Sequence, residues 1–216
     1  MVATSLKKNK ILPRYAYVPL TIMVLFNAVT YFGTRLFTED LQHYEMQTTA
    51  DELIPFSPFF ISIYILAYVQ WVVGYVMIAR DNKPVFTWIF IGELIAKGLA
   101  FLCFVFFPTT VARPEIIGDD IWSRITAYIY AADAPDNLFP SVHCLESWVC
   151  FRGAMYLRKP AKWYKYAMLV FTLLVFASTV FVKQHVLLDI AGAIAAVEIG
   201  LLVSRLILKA KKKAKA

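Results

Sequence analysis

The chain has 216 residues, of which 60% are hydrophobic and 17% charged, with a mean hydropathy of +0.61 and a formal net charge of +7. Soluble domains average about 45–50% apolar and about 25% charged residues, so this surplus describes a bilayer as the main solvent and excludes a disordered or collagen-like chain. Three cysteines (Cys103, Cys144, Cys150), an odd number set in or beside apolar runs, offer no disulfide framework and no Cys-x-x-Cys metal spacing.

A hydrocarbon core about 30 Å thick takes roughly 20 apolar residues in a helix. Runs of that kind occur at 15–36, 55–79, 85–107, 140–158, 164–182 and 185–207. They predict an all-α polytopic membrane protein with six transmembrane helices, folded as a single membrane domain over 1–216. The fourth run carries Glu146 and Arg152, and the last two nearly touch at Lys183-Gln184, which demands a tight turn. The first run is too long for a cleavable signal and lacks a small-residue cleavage site. Between the third and fourth runs, Ile121, Trp122, Ile125, Tyr128 and Ile129 recur at helical spacing behind Asp119 and Asp120, which predicts a short interfacial helix over 119–131. The 38–50 segment is expected to do the same, less clearly.

The connecting segments alternate in sign. Segments 1–14, 80–84, 152–165 and 205–216 hold 4, 2, 5 and 6 Lys and Arg, which is 17 of the 22 in the chain. Positive loops stay cytoplasmic, so both termini are expected inside and the other connections outside. The basic tail Lys209 to Lys215 then reads as a topology signal against anionic lipid, and nucleic acid is not an expected partner. The short inner loops point to a bacterial cell membrane. Tyr15, Tyr17, Trp71, Trp88, Trp163 and Tyr164 read as interfacial anchors, and His43 as a surface residue of an outer loop.

Two of the three histidines open helices on the expected outer side. His143 follows Pro140-Ser141-Val142, and His185 precedes Asp189 by four residues, so the pair shares a helix face. A carboxylate one turn inside a membrane is costly unless partnered. Accepting a hydrogen bond from His185 Nδ1 would offset that cost and leave Nε2 free as a nucleophile. The alternative is an interfacial histidine beside a structural aspartate. A second imidazole at the same depth and Arg113, just past the third run, complete a set of the kind phosphoryl transfer uses: an anion-binding guanidinium, a nucleophile with its carboxylate, and a general acid. Pro140-Ser141 reads as a helix N-terminus, whose free amides favour phosphate. No metal or cofactor is expected, since such a set stabilises charge electrostatically.

Arg113-Pro114, then Pro140-Ser141-Val142-His143, then Ser178 with His185 seven residues on and Asp189 four beyond it, resembles the type 2 phosphatidic acid phosphatase superfamily over residues 55–207. The resemblance implies that His185 attacks phosphorus to form a phosphohistidine, that Asp189 orients it, that His143 protonates the leaving group and that Arg113 holds phosphate oxygens. Three positions depart from the family pattern: Phe106 stands for its lysine, Thr179 for its arginine and Val142 for its glycine. Lys183 is a candidate replacement for one missing cation, against a plain loop lysine. The remaining pattern is also similar to the lipid head-group phosphotransferases of the superfamily, which include sphingomyelin and inositol-phosphorylceramide synthases. The expectation is a lipid-phosphate phosphatase, with a phosphotransferase as alternative and a non-enzymatic channel or scaffold third.

Three further charges fall at mid-membrane depth. Glu93, Lys97 and Glu198 lie roughly 15–21 Å below the histidines at about 1.5 Å per residue. They are expected to form a structural ion cluster joining the third and sixth runs. Glu146, one turn below His143, is expected to help that imidazole stay protonated. Cys144 points elsewhere on the helix and is expected to pack.

Overall fold

In a computed structural model of the protein, residues 11–214 are described. Lys7, Lys8, Lys10 and Lys215, four of the charges in the topology argument, lie outside the described residues.

The chain enters through α1 (Arg14–Ala28), which continues by a π-helical turn (Val29–Gly33) into α2 (Thr34–Thr38). Thr34 and Thr38 are buried and return their hydroxyls to the carbonyls of Thr30 and Thr34, so the extended helix satisfies these two side chains internally. A brief α3 (Thr49–Glu52) and a 3₁₀ turn (Pro58–Phe60) lead into α4 (Ile61–Asp81). Asn82, in extended conformation before Lys83-Pro84, breaks the chain into α5 (Lys83–Phe106); proline is tolerated there because a first-turn amide has no intrahelical partner.

Next come α6 (Ile121–Ala132), α7 (Val142–Met155), α8 (Lys162–Phe181) and α9 (Leu187–Lys213). The helix expected over 119–131 is α6, and its start is set by Asp120, whose carboxylate accepts the Trp122 and Ser123 amides. Its apolar residues Trp122, Ile125 and Ile129 pack on the cluster of Ile61, Tyr64 and Val182. The 38–50 segment differs from expectation. It runs through a turn into a two-residue strand, Tyr44–Glu45, paired in parallel with Thr109–Thr110, and is helical only from Thr49. Tyr44 stacks on Phe107 at 4.8 Å and its amide donates to Pro108, so contact with the end of α5 overrides any helical preference.

Five helices are long and apolar enough to cross a membrane: Arg14–Thr38, Pro58–Asp81, Lys83–Phe106, Lys162–Phe181 and Leu187–Lys213. The fourth expected run forms the 14-residue α7, about 21 Å long. It packs against α4, α5, α8 and α9, and Cys144, Leu145, Glu146, Ser147, Val149 and Cys150 are all buried. Its charged residues are tolerated there because neighbouring helices supply partners, Lys97 and Tyr75 for Glu146 and Glu198 for Arg152. Cys144, expected to pack, is completely buried.

The most extensive helix contact is between α5 and α9. A Cβ on Gly200 would sit 2.2 Å from the Gly92 carbonyl oxygen, backbone that cannot move aside. Small residues allow such approach between membrane helices. Two bonds lock the same crossing, Trp88 Nε1 to the Leu201 carbonyl and Ser204 Oγ to the Trp88 carbonyl, both 2.8 Å. Trp88 is therefore a buried contact of the bundle. Gly200→Leu should force the helices apart and lower thermal stability by at least the ~1–3 kcal/mol typical of overpacking. A melting curve in detergent measures this, and an unchanged midpoint would contradict the crossing.

The mid-membrane charges pair differently from expectation. Lys97 Nζ lies 2.7 Å from Glu93 and 2.6 Å from Glu146, and Tyr75 donates its hydroxyl to the other Glu146 oxygen. The cluster thus joins α5 to α7 and α4. Glu198 is not part of it: that carboxylate accepts from Trp148 Nε1 at 2.8 Å and lies 3.3 Å from Arg152. Because α7 packs against both α5 and α9, its own two charges pair with theirs, Glu146 with Lys97 and Arg152 with Glu198.

Candidate active site

The turn between α8 and α9 is made by Lys183, whose φ of 51° reverses the chain, and by the Gln184 and His185 amides, which both donate to the Thr179 carbonyl. This tight turn places His185 just before α9. Its Nδ1 stands 3.0 Å from Asp189 Oδ2, and the same oxygen accepts the Val186 amide at 3.0 Å. The carboxylate therefore serves two purposes, capping α9 and holding the imidazole. Asp189 is buried. With Nδ1 engaged, Nε2 is the nitrogen left for chemistry.

His143 stands one position inside α7. Its ring stacks on Tyr64 at 3.9 Å and is flanked by Trp71 at 5.1 Å and Tyr68 at 5.5 Å. His143 Nε2 is buried and has no hydrogen-bond partner among the described residues. Trp71, expected as an interfacial anchor, instead donates Nε1 to Ser147 at 3.0 Å and walls in the imidazole. Its position halfway along α4 faces α7, so its indole is held by the bundle and not by a headgroup layer. Glu146 lies one turn deeper, and its two oxygens are engaged by Lys97 and Tyr75.

Both histidines line one cavity of about 420 Å³. Its far wall comes from α1 (Asn27) and the π turn (Tyr31, Phe32), its near wall from α4 (Tyr64, Tyr68), and its end from Asp133 and Gln184. Phe32 and Ile65, at its edges, are exposed on the bundle surface. The cavity therefore reaches from the imidazoles to the outer surface of the bundle.

Arg113 lies behind this end of the cavity. Its guanidinium donates to the Tyr130 and Asp133 carbonyls and to the Gln184 side chain, and it rests 4.6 Å above the Tyr130 ring. Its Nε is buried and without a partner among the described residues. Burial draws its pKa below the ordinary arginine value, against the opposing pull of Asp133. Ser141 is buried as the N-cap of α7, with Oγ accepting the Cys144 amide at 3.3 Å. Its own amide donates to the Asp189 carbonyl, which ties the start of α7 to the start of α9.

Lys183 is not at the cavity. Its Nζ donates to the Asp51 and Ile54 carbonyls at 2.8 and 2.6 Å, fastening the turn to α3 and the residues just after it. Asp51 completes that attachment by accepting the Leu187 amide at 2.7 Å. Burial would raise the Asp51 pKa, but bonds from Thr48 and Leu187 outweigh it and hold the carboxyl below its ordinary value. The structure thus brings His143, His185 and Asp189 together, places Arg113 and Ser141 behind them, and turns Lys183 away.

Several residues of the site carried no motif. Arg35 bridges Asp133 and Asp136 at 2.7 Å each, and Tyr31 donates its hydroxyl to Asp133. The signal was present as one arginine among the few cations of the connections on this side, opposite two aspartates just before Asn137, but their separation of about 100 residues hid the pairing. Among the described residues no group of three or more His, Cys, Asp and Glu is gathered as a metal site. The chain matches no protein-family model, no curated protein and no solved structure.

Proposed function

We propose that the protein is a lipid-phosphate phosphatase that works through a phosphohistidine, as the resemblance to type 2 phosphatidic acid phosphatases implies. The observation that carries this reading is the His185–Asp189 pair sharing a cavity with a second imidazole, His143, whose Nε2 is unoccupied by protein. His185 Nε2 attacks phosphorus, the bond from phosphorus to the lipid oxygen breaks, and protonated His143 gives its proton to that oxygen. Water, losing a proton to the now neutral His143, then attacks phosphorus and breaks the P–N bond. Asp189 steadies the developing imidazolium. Arg113 either offers its free N–H groups to phosphate or orients Gln184 towards it.

The setting follows from the same reading. Counting α7, the chain has six spans, with both termini cytoplasmic, the cavity at the outer face and a bacterial cell membrane as location. Acyl chains would stay in lipid beside Phe32 and Ile65 while the phosphate reaches the imidazoles.

A second reading, head-group transfer to an alcohol by the same covalent step, is favoured by the missing cations. Phe106 is exposed at the end of α5, and Thr179 is buried with its hydroxyl on the Phe176 carbonyl, so neither supplies a charge. The test is incubation of the purified protein with phosphatidic acid and a chelator. Sustained phosphate release is expected. Label passing to an added alcohol without phosphate release would support the second reading, and activity lost to the chelator would overturn the metal-free step.

A further inference from the structure

Gln184 stands at the end of the cavity that Arg113 backs, and half of its side chain has no task in the fold. Its Oε1 accepts from the Arg113 guanidinium, while Nε2 is buried and has no hydrogen-bond partner among the described residues. The amide cannot be turned the other way round, because a guanidinium only donates and so must face the oxygen. Arg113 does not itself line the cavity, so an amide whose oxygen points back at it turns its nitrogen to the cavity side. Among the residues of this lining, the other buried polar side-chain atom without a partner is His143 Nε2. A buried N–H group left idle is costly, and in a folded protein it marks a missing partner.

The surroundings say what that partner is. Among the described residues no lysine or arginine lines the cavity. Arg35 is engaged by Asp133 and Asp136, Lys183 by the Asp51 and Ile54 carbonyls, and Arg113 meets the lining through Gln184. The Gln184 backbone amide donates to the Thr179 carbonyl at 3.0 Å. The chain thus folds Gln184 back beside the position where the family pattern carries its arginine.

We propose that Gln184 Nε2 donates to a non-bridging phosphate oxygen of the substrate, and that Arg113 is a positioning residue acting through it. The inference rests on the proposed phosphate chemistry of His143 and His185, and it decides between the two roles open to Arg113. Donation from the charged guanidinium into Oε1 fixes the amide and polarises it, which strengthens the hydrogen bond that Nε2 gives. Phosphate is then held by a neutral donor backed by a buried charge.

Binding of inorganic phosphate to the full-length protein in detergent, followed by ³¹P NMR, tests this without turnover. Gln184→Leu should bind about 10- to 100-fold more weakly than the parent, the worth of one hydrogen bond to a charged group. Gln184→Glu keeps an acceptor for Arg113, and so its fold, but has no N–H to offer, and its loss should be at least as large. Arg113→Lys should weaken binding several-fold in the parent, since a point charge cannot hold the amide as the planar fork does. In the Gln184→Leu background it should add about two-fold or less, because the group it acts through is gone. An undiminished Arg113→Lys loss in that background would mean that Arg113 meets phosphate directly, and would overturn the proposal. Parental binding in both Gln184 variants would overturn it too, and would leave the two histidines as the phosphate site. A parent that binds no phosphate would remove the phosphate reading itself, and this inference with it.

Discussion

His185→Ala is expected to lower turnover by about 10⁴-fold or more, the size of loss seen when a covalent nucleophile is removed. The melting midpoint should change little, because His185 has one side-chain partner, Asp189, and that carboxylate keeps the Val186 amide as a second one. Asp189→Asn is expected to cost about 10²–10⁴-fold, since an amide can hold the ring in the wrong tautomer but cannot stabilise an imidazolium. Its stability should fall as well, since the same oxygen caps α9. Phosphate release from phosphatidic acid at saturating substrate, with a melt of each variant alongside, separates chemistry from folding. A His185→Ala protein that keeps its activity would remove His185 as the nucleophile and with it the assigned mechanism.

The second large effect concerns stability. Lys97→Met should leave Glu93 and Glu146 buried with no cation between them, and breaking a buried pair in this way typically costs about 3–5 kcal/mol. Here one lysine serves two carboxylates at 2.7 and 2.6 Å, so both lose their partner at once. The expected result is a sharp drop in folded yield and melting temperature. Removing all three charges, with Lys97→Met, Glu93→Gln and Glu146→Gln together, should restore most of it, because the penalty comes from unmatched charge more than from the lost contact. A Lys97→Met protein that melts like the parent would show that the cluster holds nothing together. Tyr75 keeps Glu146 partly satisfied in every variant, so the Glu93 side is expected to dominate the loss.

Periodicity and spacing carry the local features of this chain well and the long-range ones poorly. The helix at α6, its Asp120 cap, the tight turn at Lys183 and the His185–Asp189 bond all arise within a few residues of one another, where helical geometry decides who meets whom. The bundle's charge pairing is different in kind. Glu93 and Lys97 share a helix and pair as spacing requires, but the third member could be any acid at similar depth, and only the position of α7 makes it Glu146 and sends Glu198 to Arg152. The same holds for Trp71. Its residue type favours an interface, yet the side of α4 it occupies is covered by α7. The 38–50 segment shows the converse, a weakly periodic stretch whose conformation is settled by the edge of another element. At the site, His143, His185 and Asp189 were legible as a motif set, whereas Tyr31, Arg35 and Asp133 were not, because the fold brings the π turn and α2 against the loop before α7 across a separation of about 100 residues.

The dyad depends on local geometry, whereas the wall of the cavity at Tyr31 and Asp133 depends on tertiary placement. Arg113 sits between these cases: its place in the chain was anticipated, while its partners, the Tyr130 and Asp133 carbonyls and Gln184, were not. Binding of phosphate there requires either the free N–H groups of the guanidinium or exchange of the Gln184 bond, and both keep Arg113 beside the turn that carries His185.

The most direct test is rapid acid-free quenching of the full-length protein with ³²P-labelled lipid phosphate, followed by peptide mapping. The account predicts an alkali-stable, acid-labile phosphoryl group on the nitrogen of His185, absent from His185→Ala. Turnover of the labelled lipid with no such adduct, or an adduct on His143 instead, would contradict it.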